Sequence, residues 1–250
     1  MYWYFSAYFC LFLFMPLLNA GINAMSKRTL RRTIVAMILV FSVMASIGKE
    51  ADYDTFILVS GYSGLWLMVM YAVGGYIGKY GMWEKVSKLG LFGIYFGCTA
   101  ASLGLKCFIP LLTGHLFGSS YFAKSIASFI APLVLLGSIA LLLLFSRLKF
   151  GNFAKKSIAF LAPAAFGVYI IHVHPLIWEY LMKNSFASIA DLSPLALAGA
   201  VLLGALGIYL VCSLLDLLRI TIFKSLGIKQ CFAALEDKLF KEKEKIGNRK

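Results

Sequence analysis

The residues best placed to do chemistry are Tyr169 and His172, in the run Phe166-Gly167-Val168-Tyr169-Ile170-Ile171-His172-Val173-His174-Pro175. On a helix they are three apart and share a face, while His174 points elsewhere. Histidine can serve as a general base near neutral pH, and Tyr169 can hydrogen-bond it or a substrate. These two are the candidate catalytic residues. The competing reading makes both histidines ordinary interfacial residues beside a helix-ending proline. Asp216 and Arg219, also three apart, are spaced to pair with each other at the inner end of the last apolar run.

The elements that must carry these side chains are apolar. The chain is 61% hydrophobic and 14% charged, with mean hydropathy +0.84. Soluble domains carry about 25% charged residues, so lipid is the expected solvent. Apolar runs predict helices over Tyr2–Ile22, Thr33–Ile47, Tyr62–Ile77, Leu89–Leu105, Ser125–Phe145, Ile158–His174 and Pro194–Ile222. The second and third are short for a span, and Arg31, Arg32 and Lys79 can extend them by snorkelling. The fold class is therefore all-α, a polytopic transmembrane helix bundle of about seven spans. Residues 1–225 form its membrane domain and 226–250 a charged tail.

Charge tests the arrangement. Of the 24 basic residues, 20 follow the first, third, fifth and seventh runs, and only Lys49, Lys106, Lys124 and Lys183 fall in the alternate loops. Under the positive-inside rule this places the N-terminus outside and the C-terminus in the cytoplasm. The first run has no charge before Lys27, unlike a secretory signal with its positive leading region.

The net charge of +13 does not point to nucleic acid, because the basic residues cluster between apolar runs. That pattern suits topology and anionic headgroups, making the bilayer the expected partner. Five cysteines, odd in number and without a C-x-x-C pair, suggest packing rather than a disulfide framework or a metal site. No nucleophile elbow, Walker loop, H-E-x-x-H or dinucleotide fingerprint is present. Gly74 with Gly78, and Gly93 with Gly97, form G-x-x-x-G pairs, and Gly199, Gly204 and Gly207 make a similar face. Such faces seek partner helices. The stretch from Lys106 to Lys124 reads as an outer interfacial or re-entrant segment.

Three segments resemble the membrane acyltransferase 3 family. Trp3-Tyr4-Phe5 with Tyr8, Leu11 and Pro16 is similar to one of its aromatic helices. Gly61-Tyr62-Ser63-Gly64-Leu65-Trp66, running into Tyr71-Ala72-Val73-Gly74-Gly75-Tyr76-Ile77, is similar to a later one. Phe166 to His172 looks like its late "fGiYliH" motif. Each alone is weak, but together they keep the family's order from Trp3 to His172.

The resemblance implies a ten-helix enzyme of the bacterial plasma membrane. It would move an acyl group, often acetyl, from acyl-CoA at the cytoplasmic face to a hydroxyl of a cell-envelope carbohydrate, with no bound cofactor. It also implies an arginine and a catalytic histidine in a first helix, and an arginine-rich motif soon after. Nothing in this sequence matches these, and Met1 directly precedes the helix that would be fourth. Tyr8 and Phe9 stand where some members carry a glutamate pair. Only Tyr169 and His172 carry over. The expectation is thus a truncated acyltransferase of low activity by itself, whose outside N-terminus agrees with three helices in front. A transporter or flippase component is one rival, although the spans hold few buried charges. A noncatalytic membrane partner docking through its glycine faces is another.

Overall fold

The computed structural model describes residues 2–50, 54, 56–117, 128–228, 230–232 and 234, and among these there are helices and turns but no strand. The side chains of residues 48–50, 116 and 117 are not described. Contacts divide the chain into two compact units, Trp3–Lys149 and Met1–Tyr2 with Phe150–Lys250, here called the N-terminal and C-terminal units.

In the N-terminal unit, α1 (Trp3–Ala24) packs on α4 (Gly64–Tyr80). Backbone approach needs small residues at this contact: a Cβ on Gly64 would lie 2.9 Å from Cys10 Sγ, and one on Gly75 would lie 2.8 Å from Ile22. Between them runs α2 (Lys27–Ile38), which passes through a π-turn, Leu39–Met44, into α3 (Ala45–Glu50). Ser26 caps α2 by accepting from Thr29 N, so the helix starts at Lys27 rather than at Thr33. The basic cluster is therefore in the first turns of a helix. Leu30 and Ile34 explain why it winds this early, since both are buried. The π-turn aims Ser42 inward, where its hydroxyl donates to the Ile130 carbonyl.

The unit is completed by α5 (Lys88–Phe117) and α6 (Pro132–Ser146). α5 winds through Pro110 to Phe117, so residues 106–117 continue the helix of the fourth run. One missing N–H does not end a helix whose other bonds have no water to replace them. Residues 118–124 of the interfacial or re-entrant segment expected from Lys106 to Lys124 lie outside the described residues, as does 125–127 at the start of the fifth run. Leu30, Trp66, Val69, Leu91, Leu135 and Ile139 share one buried apolar cluster.

The C-terminal unit runs α7 (Asn152–Leu161), a 3-10 turn at Ala162–Ala164, and α8 (Ala165–His172). Pro163 accounts for the tightened turn, because it has no N–H to donate. A short α9 (Pro175–Ile177) leads into a π-turn, Trp178–Met182, and a 3-10 turn at Ala187–Asp191 precedes α10 (Pro194–Ser225). Most of the charged tail expected at 226–250 falls outside the described residues.

Each of the seven apolar runs overlaps a helix among the described residues. Trp3–Ala24, Lys27–Ile47, Lys88–His115, Asn152–His172 and Pro194–Ser225 are long and apolar enough to cross a membrane. Gly64–Tyr80 and Pro132–Ser146, at 17 and 15 residues, are shorter than the roughly 20 a full crossing needs.

Candidate functional site

The site grows from the register of α8 against α10. Asp216 is 1% exposed, and its carboxylate lies so close to Gly167 that a Cβ there would meet Asp216 Cγ at 2.0 Å. Glycine is obligatory at this point of the motif for space. Arg219 holds the carboxylate in a fork, Nε to Oδ1 at 2.6 Å and Nη2 to Oδ2 at 3.2 Å. The expected pairing of Asp216 with Arg219 is present, and its placement on Gly167 is the added feature. Ser213, one turn earlier, is 1% exposed, and its hydroxyl has no hydrogen-bond partner among the described residues.

Phe186 approaches Gly204, whereas Gly167 abuts Asp216. Advancing along the chain from 167 to 186 therefore moves back along α10, so the segment from α8 to Phe186 runs antiparallel to α10. His172 lies five residues beyond Gly167, about 7.5 Å further along the helix axis. That brings it level with about residue 211 of α10, near the middle of Pro194–Ser225. The sequence puts His172 at the outer end of an apolar run; by register, the helix breaks there beside the centre of its neighbour.

At the break the two histidines differ. His172 Nδ1 is 2.8 Å from the Val168 carbonyl oxygen. A carbonyl only accepts, so Nδ1 is the donor here, and in the neutral ring the lone pair is on Nε2. His172 is half-buried, and its ring meets that of Tyr169 edge-on, 6.2 Å between centroids at 77°. His174 does the opposite: its Nδ1 accepts from Leu176 N at 3.3 Å and caps α9. Helical spacing thus puts Tyr169 and His172 together and sends His174 to a backbone task. The seat of Asp216 on Gly167 escaped the sequence reading. Two residues 49 apart give no local signal of contact, and only an acidic residue inside an apolar run hints at a buried role.

In the N-terminal unit the other two motif segments meet. The rings of Trp3 and Tyr62 lie 4.3 Å apart, and Tyr62 lies 5.2 Å from Phe129. The aromatic spacing that marks these segments is thus a packing contact. Residues 1–215 match the family model described as an acyltransferase domain, type 3.

The chain belongs to the acyltransferase 3 family.

No curated protein and no solved structure matches it. Membership makes it a multi-pass membrane protein of the acyltransferase type, with lipid around its helices and an acyl donor and acceptor as substrates. For this acyltransferase 3 member, Gly167, Tyr169 and His172 fall inside the matched residues, and so does the α10 segment up to Leu215.

Proposed function

We propose that this chain transfers an acyl group, acetyl in the first instance, from acyl-CoA to a hydroxyl of a cell-envelope carbohydrate. It would do so in the bacterial plasma membrane, with seven crossings and its N-terminus outside. The observation that carries the reading is the Nδ1 bond of His172 to Val168, which leaves Nε2 free to accept a proton. In the step, the acceptor hydroxyl loses its proton to Nε2 as its oxygen attacks the thioester carbonyl. The C–S bond then breaks, and the proton passes to the departing thiolate. Tyr169 hydrogen-bonds the histidine or the acceptor and orients the pair.

The test is transfer of labelled acetyl from acetyl-CoA to an envelope polysaccharide by the full chain in nanodiscs. His172→Ala should lower the rate about 100-fold or more. Tyr169→Phe should lower it less, and His174→Ala should leave it within a factor of a few. A rate untouched by His172→Ala overturns the assignment.

A second reading, a noncatalytic membrane partner, draws on the open glycine faces. A Cβ at Gly74, Gly78, Gly93 or Gly97 would meet nothing within 4 Å. Stoichiometric co-purification with another membrane protein would favour it.

A further inference from the structure

The segment that follows α8 is held at its start rather than along its length. No residue of α9, or of the π-turn that continues it to Met182, is buried. Leu176, Trp178, Tyr180 and Leu181 are all more than half exposed. A segment with so few packed side chains depends on how its backbone ends are satisfied. Pro175 comes first and has no N–H to satisfy. The next amide, Leu176 N, donates to His174 Nδ1 at 3.3 Å, and Trp178 N donates to the His174 carbonyl at 2.7 Å. His174 thus anchors the start of this segment with its ring and its backbone together.

The two histidines answer a proton in opposite ways. An imidazole that gains one carries N–H on both nitrogens. His172 Nδ1 already donates to the Val168 carbonyl, so that bond survives protonation. His174 Nδ1 is an acceptor, and a proton on it sets two N–H groups against each other at Leu176. The new charge also lies at the N-terminal end of a helical segment, where the macrodipole disfavours a cation. Both effects have one sign. The cap is present with a neutral ring and is lost as the pH falls. Histidine is the side chain whose charge changes between about pH 5 and 8.

Among the described residues His174 makes no ion pair that would offset this charge. Its ring neighbour is the Tyr2 phenol, 6.3 Å between centroids. On α8 the nearest titratable group is the second imidazole, His172, and by the antiparallel register Tyr209 of α10 is level with His174. In the π-turn segment, Glu179 already has its cation, Lys183 Nζ at 2.6 Å.

We infer that His174 is a proton-operated latch: with a neutral ring it caps the segment Pro175–Met182, and protonation releases that segment while α8 and the bond from His172 to Val168 stay formed. The latch stands whether or not His172 transfers acyl groups.

The test is hydrogen exchange of the full chain in nanodiscs at about pH 8 and about pH 5, corrected for intrinsic exchange and read over Leu176 to Met182. Protection there should fall about 3- to 10-fold at the lower pH, the effect of one capping hydrogen bond, while α10 keeps its protection. His174→Asn, whose side-chain oxygen caps without titrating, should hold the segment protected at both pH values. His174→Ala should leave it unprotected at both. His172→Ala should keep the pH dependence. Wild-type protection that does not change with pH would overturn the latch, and so would a parallel loss in α10. A pH dependence that persists in His174→Asn, or disappears in His172→Ala, would place the proton on another group and overturn it as well.

Discussion

The two units of this protein solve helix packing differently. In the N-terminal unit fifteen buried apolar residues form one cluster, from Ile22 to Leu143, and cations tie the loop ends by reaching backbone carbonyls. In the C-terminal unit α8 meets α10 through Gly167, Val168, Cys212, Ser213 and Asp216, a small contact centred on a carboxylate. Lipid supplies no hydrophobic drive between helices, so shape and polar contacts decide where they settle. The first unit spreads that decision over many side chains. The second rests it on one glycine and one ion pair, and the candidate base lies five residues from that glycine. Errors at Gly167 should therefore reach the chemistry, whereas errors in the N-terminal cluster are shared.

The sharpest way to break this contrast is Gly167→Ala. The new Cβ would overlap the Asp216 carboxylate, and neither helix backbone can yield without moving the other. Overpacking of this kind costs about 2–3 kcal/mol. For a chain of this size that lowers the melting temperature by roughly 5–10 °C in detergent. Asp216→Ala in the same background should restore part of the loss, because the two changes act on one contact. A single variant that melts with the wild type would show that α8 does not depend on this seat.

Arg147→Met probes the other unit. Its guanidinium serves three carbonyls between α4 and α5, with Nη1 to Val86 O at 2.6 Å the shortest contact. Charge-assisted bonds contribute about 1.5–3 kcal/mol each when buried. Here the freed carbonyls lie at a helix-connecting loop within reach of water, so the expected net cost is about 1–2 kcal/mol. Arg147→Lys should recover less than half, since an ammonium cannot match the planar fork. A loss confined to the Met82–Val86 loop in hydrogen exchange, with the apolar cluster still protected, is the outcome that fits a distributed core.

These contrasts also explain what the sequence could reveal. The apolar runs marked every long helix, because a span in lipid must be continuous and apolar over its length. Starts differ where capping outweighs polarity: Ser26 caps α2, which starts at Lys27, six residues before Thr33, among residues that look like loop. The fourth apolar run ends at Leu105, yet α5 winds on through Pro110 to Phe117, because in lipid its backbone has no other partners. The spacing of Tyr169 and His172 was enough to place them on one face. It could not give their depth, which depends on Gly167 meeting Asp216 across 49 residues. On α4, spacing singles out Gly74 and Gly78, yet Gly64 and Gly75 are the ones that admit a neighbour. A G-x-x-x-G pattern records that a helix can be approached, and whether a neighbour comes there is decided by the rest of the fold.

Gly74→Ala turns that last point into the mildest and most discriminating substitution. It is chemically the same change as at Gly167, in a helix of the other unit, but its Cβ would enter open space. Alanine is better than glycine inside a helix by up to about 1 kcal/mol. The variant should therefore melt at the wild-type temperature or roughly 1–3 °C above it. The same mutation would then carry opposite signs in the two units, which is what a distributed core and a single-point contact require. A clear drop in melting temperature would mean that something packs on the α4 face in the membrane. If the drop occurred only in native membranes and vanished after purification, the absent neighbour would be another protein chain rather than a segment of this one.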